Sequence, residues 1–257
     1  MNYFLCNLMD WTIFVFIGLI NIVVVSLFTL SGGIGLVMRP LLIFLGVPPQ
    51  ITIGTSRVSA IPGSIIAQRI LHKSKKIDWK LVFWLAPMHI AGGLFGIFVI
   101  VSLDDFLLKK IIGILLLLGG ILLLIKRKAG LTKAKTSLGK LHFLISWPIM
   151  FVLGSLLVII GGVGPLGRLL FIFGYGKTHI EAAAIKKAIN FWQTIITSVI
   201  FIGLMLVDWW LLITLSVSSF LGSIIGTKFV LKKGEKYLQT LLLLIIFVSA
   251  IKLIFFT

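Results

Sequence analysis

Residues 32–35 read Gly-Gly-Ile-Gly, and residues 161–164 read Gly-Gly-Val-Gly, 129 positions later. The first cluster follows an apolar run from Trp11 to Leu30 and precedes a shorter apolar piece that ends at Gly46. Glycine has little preference for helical backbone, so each cluster predicts a break within apolar sequence. Any fold of this chain has to accommodate two such breaks.

The composition predicts lipid as the main solvent. The 257 residues are 59% hydrophobic and only 12% charged, with a mean hydropathy of +1.18. Soluble domains are about one-quarter charged. Apolar runs such as 111–125 lack the alternation of a membrane barrel strand, and about 20 apolar residues cross a bilayer as a helix. The expected class is therefore all-α, a polytopic helical membrane protein.

The positions of the apolar runs predict two membrane repeats. About eight full membrane helices are expected, and the short pieces 33–46 and 163–176 are expected to be additional short or re-entrant helices. The run 51–71 is expected to be one long helix. The longest polar stretch is basic and separates the halves. The expected organisation is a first repeat at 1–125, a basic linker at 126–140 and a second repeat at 141–257.

The second half of the chain repeats the glycines and charged residues of the first. At an offset of 129 the two glycine clusters match, Arg39 matches Arg168 and Arg57 matches Lys186; further on, at an offset of 130, Asp78-Trp79 matches Asp208-Trp209. Apolar matches are common in membrane proteins, but glycines and cations at a fixed offset are not. The pattern predicts a duplication.

Loop charge predicts that the two halves cross the membrane in opposite directions. The loop 72–76, before Asp78, is basic, whereas the loop before Asp208 has no cation and the next loop, 228–236, is basic. Basic loops stay in the cytoplasm. We therefore expect an inverted repeat in a multi-pass inner-membrane protein, with loops 72–76, 126–140 and 228–236 cytoplasmic. This pattern also explains the net charge of +17 without a nucleic-acid partner.

Five cations lie within the apolar segments, where a charge exposed to lipid costs at least about 2.5–3.5 kcal/mol. They are Arg39, Arg57, Arg168, Lys186 and Lys187. A functional role is favoured for Arg57, Lys186 and Lys187, which lie deep in their helices. For Arg39 and Arg168, snorkelling towards the headgroups is an equal alternative.

The intramembrane cations outnumber the acidic residues near them, since only Glu181 is close in sequence. The missing counter-charge predicts an anionic substrate, and helix N termini beside the glycine clusters would add donors. The remaining candidate binding residues are Thr55, Ser56, Asn190, Gln193, Gly33, Gly35, Gly162 and Gly164. Hydrogen bonding between helices is an equal alternative for the four polar side chains.

Two further features are weaker candidates. His89 lies in the middle of a predicted helix, where a packed neutral histidine is favoured over a proton carrier. Gly92-x-x-x-Gly96 and Gly222-x-x-x-Gly226 are typical of close helix packing. The sequence has no P-loop, paired-carboxylate motif or metal-ligand cluster, so we expect no cofactor, no metal site and no enzymatic activity.

Several motifs resemble one known family. They are Ser-Gly-Gly-Ile-Gly-Leu-Val at 31–37, Leu-Gly-Val-Pro-Pro at 45–49, Gly54-Thr55-Ser56-Arg57, Ile61-Pro62-Gly63-Ser64 and Ile77-Asp78-Trp79, with Gly161-Gly162-Val163-Gly164-Pro165, Ala182-Ala183-Ala184 and Asn190 in the second half. Together they resemble the TauE/SafE family, also called the sulfite exporter or 4-toluene sulfonate uptake permease family. The resemblance covers nearly the whole chain and implies transport of sulfur-containing anions such as sulfite and sulfoacetate.

These observations predict a secondary transporter of a small anion, a sulfur-containing oxyanion or organosulfonate, working by alternating access at a midplane site lined by Arg and Lys. The alternatives are an anion channel or a non-transporting scaffold, and an intramembrane enzyme is less favoured. The expected partners are the lipid bilayer and the anion. A coupling ion, proton or sodium, and a homodimer are left open, as are the exact substrate and the direction of transport.

Overall fold

The structure, a computed structural model, describes residues 11–29, 32–125, 141–162 and 164–233, and every regular element in these ranges is helical. The all-α prediction is therefore confirmed for the described part of the chain. The predicted linker 126–140 and the sequence after 233 lie outside the described residues. The helices are α1 (Trp11–Phe28), α2 (Ile34–Phe44), α3 (Pro49–Val58), α4 (Ala60–Lys73), α5 (Trp79–Ser102), α6 (Asp105–Ile125), α7 (Leu141–Ile160), α8 (Gly164–Leu169), α9 (His179–Gly203) and α10 (Trp209–Lys233), with a π-helical turn (Leu170–Gly174) after α8.

Three of the described helices are long and apolar enough to cross a membrane. They are α1, α5 and the Trp209–Phe229 part of α10, and α2 and Ile145–Ile160 of α7 are shorter apolar helices. Large apolar side chains such as Val15, Phe98 and Val217 point outwards from these three helices, as a lipid-facing surface requires. The total of about eight membrane helices stays a prediction.

The ends of the helices follow from short-range side-chain chemistry. Asp78 caps α5 by accepting a hydrogen bond from the backbone N–H of Leu81 at 3.3 Å. Thr178 begins α9 with a reciprocal capping box, in which its hydroxyl accepts from the backbone N–H of Glu181 and the Glu181 carboxylate accepts from the backbone N–H of Thr178. Such caps satisfy backbone N–H groups that have no partner within the helix.

The predicted long helix at 51–71 is divided in the structure. Helix α3 ends at Val58, Ser59 intervenes, and α4 begins at Ala60. Pro62 supplies the reason, because proline has no N–H to donate to the carbonyl four residues earlier and its ring crowds that position. Helix α9 has the same length as α3, Ser59 and α4 together. It has Trp192 at the position that corresponds to Pro62, and it is continuous.

Backbone geometry recurs between the two halves, and it corrects one predicted match. Residues with positive φ form pairs at an offset of 129 before the π-helical turn and 130 after it: Gly32 with Gly161, Gly46 with Gly176, and Lys75 with Met205. The π-helical turn adds one residue to the second half. The counterpart of Arg57 is therefore Lys187, and the predicted match of Arg57 with Lys186 was wrong by one position.

The glycine pairs predicted to mark close packing do so. A Cβ atom added to Gly92 on α5 would collide with the carbonyl oxygen of Phe151 on α7, and one added to Gly222 on α10 would lie 2.8 Å from the carbonyl oxygen of Ile22 on α1. Small residues allow helix backbones to approach this closely in membranes. Helix α5 thus packs on α7 as α10 packs on α1.

The two glycine clusters are in contact with each other. A Cβ atom added to Gly35, at the start of α2, would lie 2.6 Å from the Cα atom of Gly161, just after α7. Gly161 itself has a φ of 76°, which L side chains rarely adopt. The two chain breaks predicted from the sequence are therefore in direct contact with each other.

Candidate functional site

A cavity of about 120 Å³ lies beside the contact between the two glycine clusters. Helices α1, α2, α3, α4, α7, α9 and α10 all contribute to its wall. Four cationic residues line it: Arg39 from α2, Arg57 from α3, and Lys186 and Lys187 from α9. None of the described residues that line the cavity is an aspartate or glutamate. The cavity wall therefore carries a surplus of positive charge.

Arg39 is held by the C-terminal end of α7. Its Nη1 atom donates to the carbonyl oxygens of Val158 at 2.6 Å and Ile159 at 2.9 Å, and its Nε atom donates to the hydroxyl of Ser56 at 3.3 Å. The last carbonyls of a helix have no partner within the helix and carry partial negative charge. This explains how Arg39 can be 2% exposed without an ion pair to any described residue.

Arg57 is held by α9 and keeps unused hydrogen-bond donors. Its Nη2 atom donates to Gln193 Oε1 at 3.1 Å, and its Nη1 atom donates to Thr194 Oγ1 at 3.4 Å. Its Nε atom is buried and has no hydrogen-bond partner among the described residues. A guanidinium group has five N–H donors, so Arg57 retains donors for a bound anion.

The two lysines of α9 differ in their contacts. Lys186 is 2% exposed, and its Nζ atom lies 3.2 Å from Nε2 of His89 on α5. Lys187 lines the same cavity and makes no hydrogen bond or ion pair with a described residue. Among the four cavity cations, Lys187 is therefore the one with no hydrogen-bond or ion-pair partner among the described residues.

The structure brings seven of the thirteen predicted site residues to the cavity and places five elsewhere. The residues that line it are Arg39, Arg57, Lys186, Lys187, Ser56, Asn190 and Gly35. Arg168, Thr55, Gln193, Gly33 and Gly162 are not among its lining residues. Gly164 belongs to 163–166, whose side-chain surroundings the structure does not describe.

Two of the predicted residues that do not line the cavity, Thr55 and Gln193, make hydrogen bonds within the protein instead. The hydroxyl of Thr55 accepts a hydrogen bond from the backbone N–H of Asp208 at 2.9 Å. Gln193 lies behind Arg57, and its Nε2 atom donates to the carbonyl oxygens of His89 and Gly154. For Thr55 and Gln193, hydrogen bonding between helices, the alternative considered from the sequence, is what the structure contains.

Sequence reasoning missed a set of small polar residues that also line the cavity. They are Asn21, Thr29, Ser59, Ser64, Thr194, Ser219 and Ser223. Asn21 is the clearest case, because it is 3% exposed and its amide donates to the hydroxyl of Ser218 at 2.6 Å. An asparagine in the middle of an otherwise apolar helix was the available signal.

An ion pair joins the two halves at the end of the molecule where α5 and α9 begin. Lys177 Nζ donates to Asp78 Oδ2 at 2.8 Å. Partial burial alone would raise the pKa of the Asp78 carboxyl group. The hydrogen bond from Lys177 and that from the backbone N–H of Leu81 outweigh the burial, so this pKa lies below its ordinary value.

Comparison with known proteins relates the chain to membrane transporters. A protein of Haemophilus influenzae named "Probable membrane transporter protein" is 25% identical over 228 residues, covering 88% of each chain. "Probable membrane transporter protein ORF9" of Sinorhizobium sp. is 24% identical over 88% of this chain and 86% of its own. "Probable membrane transporter protein YfcA" of Escherichia coli K12 is 24% identical over 88% of this chain and 84% of its own.

No solved structure matches the chain. The family described as sulfite exporter TauE/SafE matches residues 14–253, nearly the full length, and includes both glycine clusters and all four cavity cations. The resemblance inferred from the motifs is thereby confirmed: the chain belongs to the sulfite exporter TauE/SafE family of membrane transporters.

Proposed function

We propose that this protein is a secondary transporter of a small anion, a sulfur-containing oxyanion or organosulfonate such as sulfite or sulfoacetate. One observation carries the proposal: Arg39, Arg57, Lys186 and Lys187 converge on one cavity whose described lining has no carboxylate. Buried charge without a partner is costly, so an anion in the cavity would offset the cost. Charge-assisted hydrogen bonds from guanidinium groups suit sulfonate and carboxylate oxygens.

The size of the cavity agrees with a small substrate. One buried water molecule requires roughly 10–15 Å³ of cavity volume, and this cavity has a volume of about 120 Å³. A cavity of this size has room for an anion of several non-hydrogen atoms, and hydroxyl and amide groups of its wall can donate hydrogen bonds to that anion. The family description, which names sulfite, supports the same class of substrate.

Transport by alternating access is supported by the reciprocal packing of the halves. Gly92 on α5 packs against α7 and Gly222 on α10 packs against α1, so each half uses its glycine-containing helix to contact the first helix of the other. This arrangement, together with the loop charges, supports two inverted repeats with the site between them, as in many secondary transporters. We place the protein in the inner membrane with loop 72–76 in the cytoplasm, because that loop is basic.

The test is uptake and binding by the purified protein in liposomes. Sulfite, thiosulfate, sulfoacetate and a plain carboxylate such as acetate are offered, and counterflow is measured for each. A carrier shows saturation and counterflow, whereas a channel shows neither. We expect the sulfur oxyanions to bind and to exchange, and acetate to compete weakly.

Arg57→Ala gives the matched mutational test, with Arg69→Ala as its control. Arg69 is an exposed arginine on the neighbouring helix α4, so its loss removes the same charge away from the cavity. Each hydrogen bond to a charged group is worth about 1.5–3 kcal/mol. We therefore expect Arg57→Ala to weaken anion binding by about ten- to a hundredfold, and Arg69→Ala to have no effect. Equal binding by both variants would rule out the proposed site.

A further inference from the structure

One titratable side chain lies directly behind the cavity and has no part in the function proposed so far. His89, in the middle of α5, is fully buried. Its ring bridges two other helices, since Nδ1 lies 3.0 Å from the carbonyl oxygen of Met150 on α7 and Nε2 lies 3.0 Å from Oδ1 of Asn190 on α9. The Nε2 atom is also 3.2 Å from Nζ of Lys186.

The contacts of the imidazole ring fix one of its protons and leave the other undecided. A backbone carbonyl can only accept, so Nδ1 carries a hydrogen and donates it to Met150. With Nε2 unprotonated, its lone pair accepts a hydrogen bond from the Lys186 ammonium group. With Nε2 protonated, it donates to Asn190 Oδ1 and repels the ammonium group. Each arrangement satisfies a different one of the two neighbours, so the Nε2 position has two alternative proton states.

Both neighbours of Nε2 belong to the cavity wall. Lys186 and Asn190 line the cavity, whereas His89 is not among its lining residues. A proton on Nε2 therefore acts on the cavity through these two side chains. This proton repels the Lys186 ammonium group from His89. An anion in the cavity, which Lys186 also lines, can then compensate the charge of the lysine.

Among the residues that the structure describes, the charged groups around this histidine are cationic. Helix α9 supplies Lys186, and α3 supplies Arg57, which is linked to His89 through Gln193. The described side chains of α7 and the rest of the middle of α5 contribute no charged group. Lys186 and Arg57 therefore disfavour a positive charge on the His89 ring unless a negative charge enters the cavity.

We propose that His89, with Lys186 and Asn190, forms the proton-binding site that couples proton movement to anion transport. The proposal rests on the proposed anion site. An anion in the cavity favours protonation of Nε2, and a proton on Nε2 favours the anion by the same factor, because coupling between two binding sites is reciprocal. The lone pair of Nε2 takes up one proton from water when the anion binds and returns it when the anion leaves.

The first experiment measures proton uptake on anion binding in the purified wild-type protein. Sulfoacetate is the probe, because its charge does not change near neutral pH, whereas sulfite itself titrates there. Calorimetry in buffers of different ionisation enthalpy gives the number of protons bound. We expect about one proton per anion for the wild type and none for His89→Asn, which retains an amide donor for the Met150 carbonyl.

The second experiment measures accumulation in proteoliposomes with the membrane potential clamped. Coupling of one proton to one anion gives about tenfold more accumulation for each unit of pH difference. We expect this dependence in the wild type and in His72→Asn, and its loss in His89→Asn. His72 is the control because it is exposed and contacts Trp79, away from the cavity.

The outcomes distinguish failure of the proton-coupling proposal from failure of the proposed anion-transport function. If the wild type binds and exchanges sulfoacetate but takes up no proton, the coupling proposal is wrong and the anion site stands. The same holds if His89→Asn still takes up one proton per anion. If the wild type binds none of the four anions tested, both proposals fail. Should His89→Asn not fold, the proton count of the wild type decides.

Discussion

The substitution Lys187→Met tests two effects of this cation separately: its effect on the stability of the anion-free protein and its effect on anion affinity. The variant keeps most of the length of the side chain and removes its charge. Lys187 makes no hydrogen bond or ion pair with a described residue. Its replacement therefore does not remove the hydrogen-bond partner of any other described side chain. Its repulsion by the other cavity cations is also removed. We expect the anion-free protein to become more stable by about 1 kcal/mol, as is common when a residue kept for function is replaced.

The same substitution is expected to weaken binding of the anion. Loss of one hydrogen bond to a charged group costs about 1.5–3 kcal/mol, and a middle value of about 2 kcal/mol corresponds to about a 30-fold weaker affinity. At an anion concentration about 100 times the wild-type Kd, the bound anion stabilises the wild type by about 2.7 kcal/mol. For Lys187→Met the same concentration gives about 0.9 kcal/mol.

Thermal unfolding of the detergent-solubilised protein, with and without sulfoacetate, measures both effects. The expected pattern is a higher Tm without the anion and a smaller shift of Tm on adding it. Lys80→Met is the control, because Lys80 is an exposed lysine at the start of α5, and it should change neither value. If Lys187→Met lowers the anion-free Tm and leaves the anion-dependent shift intact, Lys187 is a structural residue and the reasoning is refuted.

Two further substitutions test the packing and the ion pair that join the halves. Gly92→Ala places a Cβ atom against the carbonyl oxygen of Phe151, so we expect a loss of about 1–3 kcal/mol in unfolding free energy, whereas Gly203→Ala, whose Cβ would meet nothing within 4 Å, should lose none. Asp78→Asn removes an ion pair whose side chains are 27% and 34% exposed, so chemical denaturation at neutral pH should report a loss of about 0.5 kcal/mol. Because the pKa of Asp78 is lowered in the fold, the stabilisation is present at neutral pH and disappears as the pH falls through that pKa. A difference between Asp78→Asn and wild type that is unchanged in acid would contradict this account.

Chain breaks could be predicted because they depend on neighbouring residues. The glycine clusters begin where α1 and α7 end, and the Asp-Trp pairs mark the first residues of α5 and α10. The division of α3 from α4 was missed although Pro62 was visible. A proline in the first turn of a helix is tolerated, and the sequence alone does not say whether a new helix begins before it.

The sequence shows that the offset changes from 129 to 130, but where the added residue lies could not be predicted, because the π-helical turn at 170–174 leaves no mark in the composition. Both possible matches of Arg57, to Lys186 or Lys187, are lysines, so the sequence offered no contradiction. The structure decides between them because helix bounds and positive-φ residues recur at an offset of 130 beyond the turn. A single inserted residue rotates a helix face by about 100°, which is enough to change which lysine is the counterpart.

Which predicted polar residues face the cavity depends on packing between distant helices. Ser56 and Asn190 line it, while Thr55, one residue from Ser56, points to the loop before α10. Adjacent helical residues point about 100° apart, and only the positions of α9 and α10 determine which of them faces the cavity. Asn21 illustrates the converse, because nothing in the sequence places α1 against α10.

In the corrected register, each half contributes two cations to the cavity, but only one pair of them occupies corresponding positions. Arg57 and Lys187 occupy corresponding positions and both are cationic, but the counterpart of Lys186 is Ser56, which binds Arg39. In the proposed alternating-access cycle, two similar halves exchange roles, so we expect a cation at the same position of each half to contact the anion in both arrangements. Lys186 has no such counterpart and is the cation in contact with His89. Under the proposed mechanism, Lys186 is the lysine that responds to the proton on His89, and Arg57 with Lys187 is the pair that holds the anion throughout the cycle.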